Sequence, residues 1–145
     1  MATMLDLIRR TQRGESPPPP FATLIGLTLA SVDAGCAVVE LTAESRHANH
    51  MGTLHGGILC DIADAATGLA YATTLAEGES FTTLELKINF LKPFWTGKLV
   101  ATGRIVKGGR TVGLVECDAV DDQKRLVARA SSTCLTLRGD DARGR

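Results

Sequence analysis

One stretch, Gly57 to Leu75, restricts the folds open to this chain more than any other: it holds no proline and is crowded with small residues. Ala63, Ala65, Ala66, Ala70 and Ala72, with Gly68, sit among Ile58, Ile62 and Leu69. This composition predicts a single long helix. The spacing of Ile58, Ile62, Ala65, Leu69 and Ala72 predicts its inward stripe. Its small side chains allow other backbone elements to approach closely.

The remaining patterned segments read as strands. Phe21 to Leu41 predicts a hairpin, Leu24 to Val32 and Cys36 to Leu41, turning at Asp33, Ala34 and Gly35. Thr42 to Leu54 is polar and irregular. In Phe81 to Leu91, Leu84, Leu86, Ile88 and Phe90 alternate with Glu85, Lys87 and Asn89, and Lys92, Pro93 and Phe94 interrupt the pattern. Leu99 to Val106, Thr111 to Ala119 and Arg125 to Leu137 predict three more strands. Two strands, a helix and four strands belong to the α+β class, with one curved antiparallel sheet covering the helix. The uncovered face or edge of such a sheet predicts self-association, a homodimer at minimum.

Met4 to Arg10 predicts a short amphipathic helix, ended by Gly14 and by the stiff run Pro17 to Pro20. Residues 1–20 therefore read as an N-terminal helix and connector, 21–137 as the main domain and 138–145 as a disordered tail. A chain of 145 residues, 44% hydrophobic, supplies one core. Sixteen basic and 16 acidic residues cancel, which argues against a broad surface for nucleic acid or acidic membrane and leaves any anionic ligand to be bound locally. Cys36, Cys60, Cys117 and Cys134 form no CxxC pair and read as reduced thiols of a cytoplasmic protein. No apolar run is long enough to span a membrane, and the start is too polar for a secretory signal.

The chemistry concentrates in HANHMGTLHGGILCDIAD, His47 to Asp64. A helix start exposes unpaired N–H groups, so Gly56 and Gly57 can bring main-chain donors close to a carbonyl oxygen and stabilise negative charge developing there. Asp64 lies two turns into the helix, where a carboxylate can orient or deprotonate water. Asp61 reads as a capping or ion-pairing residue. His47 and His50 have HxxH spacing and His55 follows, but without HExxH or a cysteine pair no metal site is expected, and His55 reads as a hydrogen-bonding brace. Thr82 and Thr83 lack the surroundings of a serine-hydrolase elbow.

The segment NHMGTLHGGILCDIAD, followed by FTTLELKINFLKP, resembles the catalytic region of the hotdog-fold acyl-CoA thioesterases of the phenylacetate-degradation (PaaI-like) type. That resemblance implies a long central helix wrapped by a curved antiparallel sheet, sheets joined between two subunits, active sites across the interface and commonly a homotetramer. It implies hydrolysis of an acyl-CoA to a carboxylic acid and free CoA, with no cofactor beyond the coenzyme A of the substrate. By the same resemblance Asp64 is the general base or nucleophile, the Gly56 N–H polarises the thioester carbonyl, Asn49 assists there, and Thr83 positions water. His55 and Gly57 shape the substrate-binding loop. The CoA phosphates are assigned to Lys92, Arg104, Lys107 and Arg110, which fall near inferred turns or strand ends. Phe81, Phe90, Phe94, Trp95, Leu59 and Met51 are candidates for acyl pocket or core, and the acyl group stays open among aromatic, hydroxyaromatic and medium aliphatic. A non-catalytic acyl-CoA sensor is the alternative, although it would gain nothing from Asp64. A hotdog dehydratase would use a histidine and an acid in another local pattern.

Overall fold

The computed structural model describes all 145 residues, Met1–Arg145. Six strands form one antiparallel sheet: β1 (Leu27–Asp33), β2 (Cys36–Ala43), β3 (Ser80–Phe90), β4 (Gly97–Gly108), β5 (Val112–Val120) and β6 (Leu126–Leu137), in the order β1-β2-β4-β5-β6-β3. The helix α3 (Gly56–Ala72) packs across the sheet. The fold is the α+β arrangement expected, one long helix against one curved antiparallel sheet.

Close approach depends on the small residues. A Cβ on Gly103 of β4 would overlap the Ala66 carbonyl of α3, so the helix backbone rests almost directly on the strand. The buried face of α3 carries Leu59, Ile62, Ala63, Ala66, Thr67 and Ala70. This stripe is rotated from the one the spacing predicts: Ile58, Ala65 and Leu69 are only half-buried, whereas Ile62 and Ala72 are buried as expected. The reason is that alanine is small enough to face either way, and tertiary contact rather than apolar spacing selects the covered side.

Two further expectations change. The predicted strand Leu24 to Val32 begins only at Leu27, because Pro20–Ile25 form a short helix, α2. Proline at its first turn and Gly26 at φ 94 after its last turn are ordinary helix-boundary residues. The tail expected to be disordered contains a 3-10 turn, Gly139–Ala142. Just before it, Arg138 is anchored to Glu79 at 2.7 Å and donates to the Arg110 carbonyl.

The N-terminal helix α1 (Met4–Gln12) is closed by a capping box between Thr3 and Asp6. It lies against β1, where Gln12 Nε2 donates to the Ala30 carbonyl at 2.8 Å and Arg9 pairs with Asp33 at 3.0 Å. One sheet edge thus has the chain's own N-terminus beside it. The other edge, β3, pairs only with β6 and exposes Leu84 and Phe90.

Candidate active site

The loop before α3 is held by a dense set of short hydrogen bonds. Asn49 accepts at Oδ1 from the N–H groups of Met51 (2.9 Å) and Thr53 (3.2 Å), and its Nδ2 donates to Thr53 Oγ1 at 2.8 Å. His55 N–H donates to the His47 carbonyl at 2.9 Å, and Leu54 N–H to that of Phe94 at 2.7 Å. The buried His47 ring bridges Glu44 N–H and the Ile25 carbonyl. His55 is the N-cap of α3, its Nδ1 accepting the Gly57 N–H at 2.8 Å.

That cap separates the two glycines. The Gly57 N–H is used internally, whereas the Gly56 N–H has no acceptor in the chain and is available to a ligand. A Cβ on Gly56 would stand 3.1 Å from the Phe90 ring, so a side chain there would crowd the aromatic that covers the helix start.

Two turns further, the Asp64 carboxylate is exposed, and Thr83 Oγ1 donates to its Oδ1 at 3.1 Å. A β-bulge makes this contact possible. The pairing of β3 with β6 shifts between Thr83 and Glu85, leaving Leu84 as the extra residue. Beyond the bulge Leu86 and Ile88 pack on the core, and before it Phe81 and Thr83 face α3. An uninterrupted alternation continuing from Leu86 and Ile88 would have turned Leu84 inward and Thr83 away.

Asp64 and Thr83 stand at a cavity of about 810 Å³ that extends along Ala65, Gly68, Leu69 and Ala72 of α3 and past Phe81. Its far side is lined by residues of the N-terminal segment, among them Ile8, Pro17, Pro18, Pro19 and Phe21. The N-terminal helix and connector thus also form a wall, apolar at Ile8, the prolines and Phe21 and polar at Thr11, Gln12, Glu15 and Ser16; the amphipathic helix followed by four prolines is the sequence signal of its stiffness. Asp61, one turn before Asp64, is half-buried; burial and then the Asp64 charge push its carboxyl above the usual carboxylate range.

The remaining candidates scatter. Of the possible pocket side chains, Phe81 lines the cavity, Phe90 covers Gly56, Leu59 and Phe94 are core, and Met51 and Trp95 are exposed. Lys92 follows Phe90 at the Gly56 end of α3 and lies 3.4 Å from Asp121. Arg104 is exposed on β4, paired in register with Glu116 of β5 and on the outer face near Asp118. Lys107 and Arg110 flank the β4–β5 turn, which adjoins the last turn of α3 through Tyr71 and Thr111. A single copy of the chain therefore joins Asp64 to Thr83, gathers Asn49, His55, Gly56 and Gly57 at the helix start, and leaves Arg104, Lys107 and Arg110 remote from that start.

Comparison with known proteins fits this geometry. The sequence profile of the thioesterase superfamily matches residues 51–128, from the loop before α3 into β6. The acyl-coenzyme A thioesterase PaaI of Escherichia coli is 32% identical over 108 residues, 74% of this chain and 75% of its own. Its solved structure superimposes with a TM-score of 0.82 at 25% identity, covering 94% of this chain and 98% of that one. Human acyl-coenzyme A thioesterase 13 is 26% identical over 136 residues, 92% of this chain and 96% of its own. A phenylacetic acid degradation-related protein of Ralstonia eutropha JMP134 is 34% identical with a TM-score of 0.80, over 88% of this chain and 97% of that one. With the helix, the sheet order and the glycine loop all in place, the chain belongs to the thioesterase superfamily and has its hotdog fold.

Proposed function

We propose that this thioester hydrolase cleaves acyl-CoA, with Asp64 activating water and the Gly56 N–H polarising the thioester carbonyl. The observation that carries the reading is the exposed Asp64 carboxylate, held by Thr83 at a cavity lined largely by apolar residues. Water gives its proton to Asp64 as its oxygen attacks the carbonyl carbon, negative charge collects on the carbonyl oxygen facing Gly56, and as the C–S bond breaks Asp64 passes the proton to the leaving sulfur, releasing the carboxylic acid and free CoA. Direct attack by Asp64, through an anhydride that water then opens, uses the same residues. In this reading no metal or separate cofactor takes part.

The reaction needs its donor and its base about 3 Å from one reacting group. In a single chain Gly56 and Asp64 are roughly 12 Å apart along the helix axis, eight residue steps at about 1.5 Å each. The site is therefore composite, with Gly56 of one copy facing Asp64 of another. The unpaired β3 edge, with Leu84 and Phe90 exposed, is the surface through which a second copy would join the sheet. A homodimer is the smallest active unit, and a homotetramer pairs two of them. Asn49 acts mainly by bracing the loop, since its Oδ1 is fully engaged there, although one Nδ2 hydrogen remains for the substrate. His55 and Gly57 fix the helix start, and Lys92 lies where a CoA phosphate would approach it. Arg104, Lys107 and Arg110 reach the phosphates only if another copy brings them to that end.

The test is thiol release from a panel of aliphatic and aromatic acyl-CoAs, wild type against Asp64→Asn. Release by the wild type and a fall of about 10²- to 10⁴-fold in kcat for the variant are expected, with the melting temperature retained. Equal turnover by the variant would remove Asp64 from the chemistry. Binding without release by the wild type would make the protein an acyl-CoA sensor.

A further inference from the structure

We propose that residues 8–22, from α1 through the proline run into α2, form the distal wall of the acyl pocket and give the enzyme a preference for extended apolar acyl groups over short ones. This rests on the thioesterase reading above. From Asp64 the cavity follows α3 to Ala72, a distance of about 12 Å, close to the extended length of a decanoyl group. Leu27 and Leu29 of β1 and Phe81 of β3 form its sides. Ile8 shares a buried cluster with Ala72, at the end of the cavity away from Asp64, so an acyl group running along α3 must be long to reach this part of the N-terminal wall.

That wall is a built surface. Ile8 is buried with Val32, Tyr71 and Leu75, and Gln12 and Arg9 tie α1 to β1. Thr11 Oγ1 and Ser16 Oγ, 2.8 Å apart, close the turn that leads into the prolines. An ordinary loop beside an apolar ligand would present N–H groups with nothing to bind, at an energetic cost. Pro17, Pro18 and Pro19 have no N–H, so this part of the wall accepts hydrocarbon without that penalty. A volume of about 810 Å³ lies within the usual range for small-molecule sites.

The experiment measures kcat/KM for acetyl-, hexanoyl-, decanoyl- and palmitoyl-CoA and reads the ratio of decanoyl to acetyl. Thr11→Phe fills the distal space and Phe21→Ala removes an apolar wall. Leu24→Ala, on the same short helix but outside the cavity lining and 72% exposed, is the control. The wild-type ratio should exceed one, fall about tenfold in Thr11→Phe and several-fold in Phe21→Ala, and hold in Leu24→Ala. Two variants establish the effect even if one fails to give a normal circular dichroism spectrum and melting curve. A wild-type ratio of one or less, or a ratio unchanged in the folded wall variants, overturns the inference. If the wild type cleaves no member of the series, the hydrolase reading fails separately, and calorimetric binding of decanoyl-CoA then decides: weaker binding by Thr11→Phe supports the wall, and equal or absent binding rejects it.

Discussion

The start of α3 and its middle, around Asp64, are both made of small residues yet are held in opposite ways. At the start, the His55 cap, the Asn49–Thr53 turn and the Phe90 ring fix the backbone, and the Gly56 N–H is left without an acceptor in the chain. In the middle, an exposed carboxylate has one side-chain partner, Thr83, and stands beside open space. The contrast matches two chemical needs. An oxyanion donor is effective when its position is settled before charge develops, so rigidity serves it. A base must admit water and then change its protonation state, so it needs room and few competing donors.

The sharpest way to break this comparison is to remove each half separately. Gly56→Pro deletes the donor but keeps the helix, because proline suits the first helical position and His55, at φ −62 and ψ 135, has the conformation favoured before proline. The Phe90 ring must yield by a few tenths of an ångström, and it is half-exposed and at the end of its strand. A loss of about 10²- to 10³-fold in kcat is expected, measured by thiol release. Unfolding and refolding this variant together with Asp64→Asn should then restore activity to about a quarter of wild type, since random pairing makes half the dimers mixed and each mixed dimer has one intact site of two. No recovery, despite mixed dimers forming, would place Gly56 and Asp64 of the same chain in one site and overturn the composite arrangement.

Much of the fold was legible because it rests on pattern: the uninterrupted helix, the alternating strands and the turns at Asp33–Gly35 and Lys107–Arg110 each leave a local trace. The site was legible in part. Gly56, Gly57 and Asp64 were visible as residue types at a helix start, but which glycine is free depends on the rotamer of His55, and no spacing rule gives that. Thr83 was hidden from periodicity, because the regular alternation of Leu84, Leu86, Ile88 and Phe90 is broken by the bulge at Leu84. The buried side of α3 was misread because alanines carry little directional signal. The role of the proline run depends on residues far apart in sequence meeting across the cavity.

A smaller effect sharpens the account of the Asp64 half. Thr83→Val keeps the shape of the side chain and removes the hydroxyl at 3.1 Å from Asp64. Because a neutral hydrogen bond contributes about 0.5–1.5 kcal/mol net, kcat should fall roughly two- to tenfold, with KM little changed. The split between the kinetic constants is the discriminating readout: a lower kcat at constant KM assigns the Thr83 hydroxyl to the transition state, whereas a raised KM at constant kcat would assign it to substrate binding alone.

The smallest effect at neutral pH belongs to the scaffold beneath the Gly56 end, where Lys92 meets Asp121. Burial by itself would raise the Asp121 carboxyl, but hydrogen bonds from the Arg125 backbone and guanidinium and from Gln123 N–H, with the Arg125 charge, outweigh it and bring the group down to about 2. A free carboxyl of this kind titrates at 3.8, so on acidification the unfolded chain binds the proton first. The stabilisation is accordingly complete above about pH 4 and is lost as pH falls towards 2. Asp121→Asn should melt below wild type at neutral pH, and the gap should close over that acidic window. Turnover at neutral pH should stay close to wild type, because Asp64 lies on a different element and keeps its Thr83 partner. A gap that persists unchanged down to about pH 2 would assign the stabilisation to the shape of the turn rather than to the ionised carboxylate.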